Sequence, residues 1–184
     1  MTPTPAPTVR SERAVEIVAA ARRILEGDGP DALTMRRLAA EVGMQAPSLY
    51  KHFPTKRAVE AALIEQGMLE FGHALHTALS ARGGGGAVVR LLDAYRTTAR
   101  ARPALYRLAT AGPLPREDLP PDLEAWAGEP FFLVTGDPWR AQALFSFAHG
   151  MVVLELDDRF PDGSDLARTW RSGAAAFTAE LVRG

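Results

Sequence analysis

Hydrophobic and polar positions recur along most of the chain with the period of an amphipathic α-helix. The segments are rich in Ala, Leu and Arg, which are strong helix formers. The first segment shows the stripe clearly, with apolar residues on one helical face at Ile17, Val18, Ala21, Ile24 and Leu25. The pattern predicts helices at about 11–26, 35–41, 45–52, 55–81, 87–101, 103–111, 121–133, 138–157 and 164–182.

Glycine and proline separate these segments. The run 27–30 ends the first helix, and the Pro-rich stretch 112–121 separates two later ones. The four glycines at 83–86 predict a flexible connection, because a phosphate-binding loop would need a following Gly-Lys-Ser/Thr. The best strand candidate, FFLVT at 131–135, is short and isolated. We therefore predict an all-α fold.

Composition limits the class of protein. The 184 residues are 47% hydrophobic and 23% charged, as in a globular protein of one or two small domains. The absence of cysteine excludes a disulfide scaffold, a thiolate zinc site and a cysteine nucleophile. No apolar run approaches a membrane span, and the N-terminus MTPTPAPTVR lacks the apolar core of a signal peptide. We expect a cytoplasmic protein without a membrane partner.

Charge is distributed unevenly although the net charge is only −1. Residues 1–60 hold nine Lys and Arg against seven acids, whereas residues 61–184 hold twelve Arg against fifteen acids. The chain has only two lysines, Lys51 and Lys56, and both lie in the basic part. This cluster predicts a local site for an anion.

Residues 34–53 have the pattern of a helix-turn-helix: a short helix capped by Thr34, a tight turn at Gly43, and a second short helix with Pro47 in its first turn. A helix that enters a DNA major groove about 12 Å wide needs small residues at its N-terminal end. Ala46, Pro47 and Ser48 meet that need.

The same helix separates anchoring residues from exposed ones. Leu49 and Phe53 are four residues apart and are expected to pack on the preceding helix. Tyr50, Lys51 and His52 are then directed outward or lie at the edge. Tyrosine hydroxyl and lysine ammonium groups are donors to DNA phosphates, and a Lys56 at the start of the next helix adds a further one.

The segment LTMRRLAAEVGMQAPSLYKHFPTKRAVEAAL resembles the DNA-binding region of the tetracycline-repressor-like (TetR/AcrR) regulators. The resemblance covers about residues 11–65. Gln45 stands where the family usually has Ser or Thr, and Arg57 replaces the usual acid and can add a phosphate contact. The matching residues are Gly29, Thr34, Arg36, Leu38, Ala39, Gly43, Leu49, Tyr50, Phe53 and Lys56.

The resemblance implies a ligand-responsive transcriptional regulator, expected to be a repressor, that binds a palindromic double-stranded DNA operator as a homodimer. Alternating Pro and Thr predict a disordered tail at 1–10. The resemblance implies an N-terminal three-helix helix-turn-helix domain at 11–57 and a C-terminal helical ligand-binding and dimerisation domain at 58–184. The expected DNA-binding residues are Thr34, Arg36, Gln45, Ala46, Pro47, Ser48, Tyr50, Lys51, His52 and Lys56.

A second segment, ALFSFAHGMVVLELDDRF at 143–160, resembles the Trp-His-Gly subfamily of TetR C-terminal domains. His149 and Gly150 match, and Phe145 stands where tryptophan is typical. The resemblance implies that the last two helices form a four-helix dimer interface. Residues recurring at three- and four-residue spacing give its expected members: Phe145, His149, Val152, Val153, Trp170, Ala174 and Phe177.

The same resemblance implies a small-molecule effector bound among the central helices. The candidate pocket residues are aromatic: Phe71, Tyr95, Tyr106, Trp126 and Phe131. A mostly apolar pocket favours a neutral or cationic apolar molecule over a phosphorylated metabolite. Most of the central arginines, such as Arg96, Arg100 and Arg107, are expected on the outer faces of their helices. We expect no cofactor and no metal.

Two other classes of protein are alternatives to the regulator. One is a small helical enzyme that would use His73, His76 or His149 with acids at 155–158, but no nucleophile–base pair or metal-ligand spacing supports it. The other is a helical interaction protein whose helix-turn-helix is only structural. Only the regulator requires DNA affinity that falls steeply with salt.

Overall fold

A computed structural model describes residues 2–81 and 86–179, without the side chain of residue 179. These residues form nine α-helices, and the prediction of an all-α fold is confirmed. The strand candidate at 131–135 is helical, and most of the glycine run lies outside the described residues. The helices are α1 (Glu12–Asp28), α2 (Met35–Glu41), α3 (Ala46–His52), α4 (Lys56–Ser80), α5 (Ala87–Ala101), α6 (Pro103–Thr110), α7 (Leu123–Thr135), α8 (Pro138–Leu156) and α9 (Leu166–Ala179).

The helices divide into two compact units. The N-terminal unit comprises residues 4–69 and 102–124, and the C-terminal unit comprises the other described residues. This division differs from the predicted boundary at 57/58, because α4 is continuous through that position and contributes to both units. The segment 102–124, predicted with the C-terminal domain, is part of the N-terminal unit.

Apolar residues from α1 to α4 and from α6 form the core of the N-terminal unit. Leu49 and Phe53 are buried in it, as the sequence predicts. Leu105 of α6 belongs to the same core, and its side chain lies against Gly67 of α4. The Leu105 N–H also donates to Glu26 of α1 at 3.3 Å. These contacts explain why α6 is part of this unit.

Residues 4–10 also belong to the N-terminal unit, as an extended chain without regular secondary structure. The Thr8 N–H donates to Oε1 of Glu65 at 2.7 Å, and Arg10 pairs with Oε2 at 2.5 Å. Burial would raise the pKa of Glu65, but the hydrogen bonds from Arg10 and Thr8 outweigh it and lower that pKa. The segment predicted as a disordered tail therefore binds the carboxylate of Glu65, a residue that is only 1% exposed.

Close helix packing in the C-terminal unit depends on Gly72. The ring of Trp126 lies so near Gly72 that an added Cβ would be 2.6 Å from Cη2 and 2.7 Å from Cε3. His76 stacks on the same ring at 5.0 Å. Pro130 lacks an N–H, so the Trp126 carbonyl one turn earlier in α7 has no helical hydrogen-bond donor. His76 Nε2 donates a hydrogen bond to this carbonyl at 3.1 Å.

A second cluster in the C-terminal unit is centred on Glu155. Glu155 lies near the C-terminal end of α8, where an acidic side chain is normally solvated, but its side chain is buried. Arg96 pairs with it at 3.0 Å, Trp170 donates its indole N–H to it, and Arg96 lies over the Trp170 ring. Arg96 is therefore turned toward α8 and α9 and is not on an outer helix face.

Candidate DNA-binding interface

The turn between α2 and α3 has the geometry that the sequence predicts. Thr34 caps α2 by accepting the Arg37 N–H at 3.2 Å. Gly43 has φ +62°, a left-handed conformation that favours glycine and turns the chain toward α3. Arg13 of α1 donates to the Val42 carbonyl at 2.6 Å and so ties the turn to α1.

Helix α3 separates a buried face from an exposed one. Leu49 is fully buried, whereas the neighbouring Tyr50 side chain is 47% exposed. Gln45 precedes α3 without a side-chain cap bond, which leaves its amide available. Of the predicted residues in and just before α3, Ser48 is partly buried and the others are exposed: Gln45, Ala46, Pro47, Tyr50, Lys51 and His52.

The cations around this surface differ in their partners. Among the described residues, Lys51 and Arg36 are exposed and have no ion-pair partner. Lys56 is half-exposed and lies 3.3 Å from Glu60 one turn later in α4. Arg37, beside Arg36, pairs with Asp28 at 2.6 Å. Lys51 and Arg36 are therefore the cations most available to phosphate.

The predicted pocket residues are only partly brought together. Phe71, Tyr95 and Phe131 pack edge to face with centroid separations of 5.6 and 5.7 Å, and Phe145 joins them. Trp126 packs against Gly72, and Tyr106 is buried in the N-terminal unit. A cleft of about 440 Å³ is lined instead by Asp93, Arg96, Thr97, Arg100 and Ala101.

The predicted dimer residues do not form one free surface. Val152, Trp170 and Ala174 are buried within the unit itself, Phe145 is exposed, and His149, Val153 and Phe177 are partly buried. Small Gly173 faces Phe147 of α8 and leaves room for that ring. The exposed stripe of α8 is rotated away from the predicted one and contains Trp139, Ala143, Ser146 and Leu154.

Sequence reasoning missed two features of the protein surface. The first is Trp139, which is 74% exposed at the start of α8. Its four- and three-residue spacing with Ala143 and Ser146, on one helical face, could have identified it as part of an exposed stripe. The second is an acidic pair, Glu117 and Asp118, which contacts Arg57. No signal in the sequence links these acids to a residue 60 positions away.

The histidines of the C-terminal unit take part in packing. His76 is engaged with Trp126, and His73 meets the same ring edge-on. Burial lowers the pKa of His149. Across 2–81 and 86–179, no three or more His, Asp or Glu side chains are grouped to hold a metal ion. Over the same ranges, no helix is both long and apolar enough to cross a membrane.

Comparison with known proteins places this geometry in a family. Residues 17–63 match the family described as bacterial regulatory proteins, tetR family. An uncharacterised HTH-type transcriptional regulator of Mycobacterium tuberculosis is 30% identical over 159 residues, 76% of this chain and 68% of that protein. The class C tetracycline repressor protein of Escherichia coli is 44% identical over 57 residues, 31% of this chain and 26% of the repressor.

Similarity of fold extends over nearly the whole chain. The crystal structure of the multidrug binding protein EbrR, complexed with imidazole, has a TM-score of 0.67 at 24% identity and covers 92% of this chain and 94% of its own. Regulators of this family are DNA-binding proteins without enzymatic activity. The mycobacterial regulator matches over most of both chains, and the family match at residues 17–63 coincides with the helix-turn-helix. The chain therefore belongs to the TetR family of transcriptional regulators.

Proposed function

We propose that this regulator represses transcription as a homodimer that binds a palindromic operator in the bacterial cytoplasm. The exposed face of α3 beside the buried Leu49 is the observation that supports this most directly. Two such helices, related by a twofold axis, enter successive major grooves about 34 Å apart. A small molecule that prefers a conformation with another helix spacing releases the operator.

The residues around α3 divide into two proposed roles. Tyr50, Lys51 and Lys56 contact phosphates and position the helix, and Arg36 and Thr34 support them from α2. Gln45 and Ser48, at the N-terminal end of α3, contact base edges, where a glutamine amide suits adenine. Ala46 and Pro47 let the helix approach closely, and His52 lies at the edge of the contact.

Lys51→Gln is expected to weaken operator binding and to reduce the slope of log affinity against log salt by about 0.9, because one phosphate contact is lost. Tyr50→Phe is expected to weaken binding about fivefold through loss of one hydrogen bond. Fluorescence anisotropy with a duplex selected from a random library measures both. Adding apolar aromatic cations to the same assay tests release.

Arg159→Gln is the matched control, because it removes an exposed cation from the C-terminal unit. If Lys51→Gln and Arg159→Gln bind the selected duplex equally well over the salt range, α3 is not the DNA-binding surface. Thermal melts of all variants should overlay, since none of these side chains is buried.

A second copy of the chain is proposed to cover the exposed stripe of α8 together with the outer face of α9, where Arg171 and Ala175 are exposed. Trp139→Glu places a charge in that stripe and is expected to dissociate the dimer. Light scattering at micromolar protein concentration should then give the mass of the 19.8 kDa monomer. Val15→Glu, at an exposed apolar position in the N-terminal unit, should leave the mass unchanged. A dimeric Trp139→Glu protein would contradict this interface.

The effector is proposed to bind beside the aromatic cluster of Phe71, Tyr95, Phe131 and Phe145. Aromatic faces and edges suit flat, apolar molecules and cations. The multidrug binding protein of similar fold is described as a complex with imidazole, a small aromatic base, which agrees with this class of ligand.

A further inference from the structure

Arg57, at the start of α4, is held by two carboxylates. Glu117 forms an ion pair with its Nη2, and Oδ2 of Asp118 lies 3.4 Å from its Nε. Both acids lie in the single 3-10 turn Arg116–Asp118, between α6 and α7. All three residues belong to the N-terminal unit. One cation therefore faces two negative charges beside the proposed DNA-binding surface.

The position of Arg57 makes this pairing relevant to DNA. It directly follows Lys56, at the junction of α3 and α4 where the proposed phosphate contacts lie. A lone arginine there would add a positive charge next to the phosphates. Together, Arg57, Glu117 and Asp118 instead carry a net charge of −1. These charges act on phosphates over a screening length of about 10 Å at 0.1 M salt.

The backbone turn that carries the two acids is held in place without help from Arg57. The Asp118 N–H donates to the Pro115 carbonyl at 2.9 Å, and the neighbouring Arg116 forms two hydrogen bonds, at 2.6 and 2.7 Å, to Glu124. Arg57 and Glu117 are both about two-thirds exposed, so their pairing adds little to stability. The arginine can leave the acids at small cost when a phosphate is present.

We propose that Glu117 and Asp118 compete with DNA phosphate for Arg57 and so limit the affinity of the regulator for DNA. This inference rests on the proposed α3 interface. In free protein the acids occupy the arginine. On DNA, either Arg57 remains with them and their charges repel the backbone, or it turns to a phosphate and leaves two carboxylates unpaired. In both cases the protein binds DNA more weakly than its number of positively charged side chains at this surface would predict.

The double variant Glu117→Gln/Asp118→Asn tests the proposal in the full-length protein with a duplex selected from a random library. We expect about fivefold tighter binding at 50 mM salt, and a salt slope steeper by up to about 0.9 because Arg57 becomes a phosphate contact. Asp122→Asn removes an exposed acid of the same segment that has no ion-pair partner among the described residues, and its affinity change measures the general effect of charge.

Arg57→Gln completes the comparison. It should weaken binding by the wild-type protein, because the local charge falls from −1 to −2, and it should reduce the gain of the double variant to that expected from removing two acids. Unchanged or weaker binding by the double variant would overturn the proposal. So would a gain in binding free energy no larger than twice that of Asp122→Asn, or a gain that is undiminished in the Arg57→Gln background. If Lys51→Gln also leaves affinity unchanged, the α3 interface fails; if Lys51→Gln weakens binding, only the competition for Arg57 is wrong.

Discussion

Arg10→Ala is expected to destabilise the N-terminal unit by about 3 kcal/mol, because it leaves the carboxylate of Glu65 buried without its charged partner. For a chain of this size that corresponds to a fall of about 10 °C in Tm. Arg37→Ala is the matched control: it breaks an ion pair at 2.6 Å in the same unit, but both side chains are about half exposed. Its cost should be below about 1 kcal/mol.

The pH dependence of stability gives a second measurement of the same contact. The folded-state pKa of Glu65 lies below its ordinary value of 4.5, so its stabilising contribution is complete above 4.5 and is lost as pH falls through the lower folded value. Glu65→Gln should reduce this acid-side loss. Equal Tm losses for Arg10→Ala and Arg37→Ala would show that the N-terminal segment does not support the unit.

Gly72→Ala is expected to destabilise the C-terminal unit by about 3 kcal/mol, since the new methyl group would overlap the indole of Trp126. The ring cannot move aside easily, because it is 2% exposed and lies between His73 and His76. Denaturant unfolding followed by tryptophan fluorescence measures the change.

Gly128→Ala in α7 provides the control for helix propensity. A Cβ there meets no atom within 4 Å, so the substitution should stabilise the protein by about 0.5–1 kcal/mol. If Gly72→Ala is also neutral or stabilising, the approach of Trp126 to α4 is looser than described.

Local signals in the sequence were sufficient for the helix-turn-helix. Thr34 and Gly43 mark the ends of α2, which spans Met35–Glu41 as predicted. The spacing of Leu49 and Phe53 identified the buried side of α3, and therefore also the exposed side with Tyr50. These features depend on residues within one or two helical turns, where caps and spacing are informative.

Features that depend on distant partners could not be predicted. An acidic residue on a helix, such as Glu65, normally indicates a solvent-exposed position. The burial of Glu65 depends on its ion pair with Arg10, which lies far earlier in the chain. The apolar run 151–154 on α8 is continuous, so its spacing does not distinguish the buried Val152 from the exposed Leu154. Tyr106 resembled a pocket aromatic, but its helix packs on α1.

The inclusion of 102–124 in the N-terminal unit matters for anyone who wishes to transplant the operator specificity of this protein onto another effector module. A graft cut after residue 57 or 69 would carry the helix-turn-helix but omit Leu105, which is 1% exposed in the core beneath it. The chimera would then present an apolar gap where α6 belongs. A working graft has to take two separate stretches of chain, joined through whatever effector module replaces the rest.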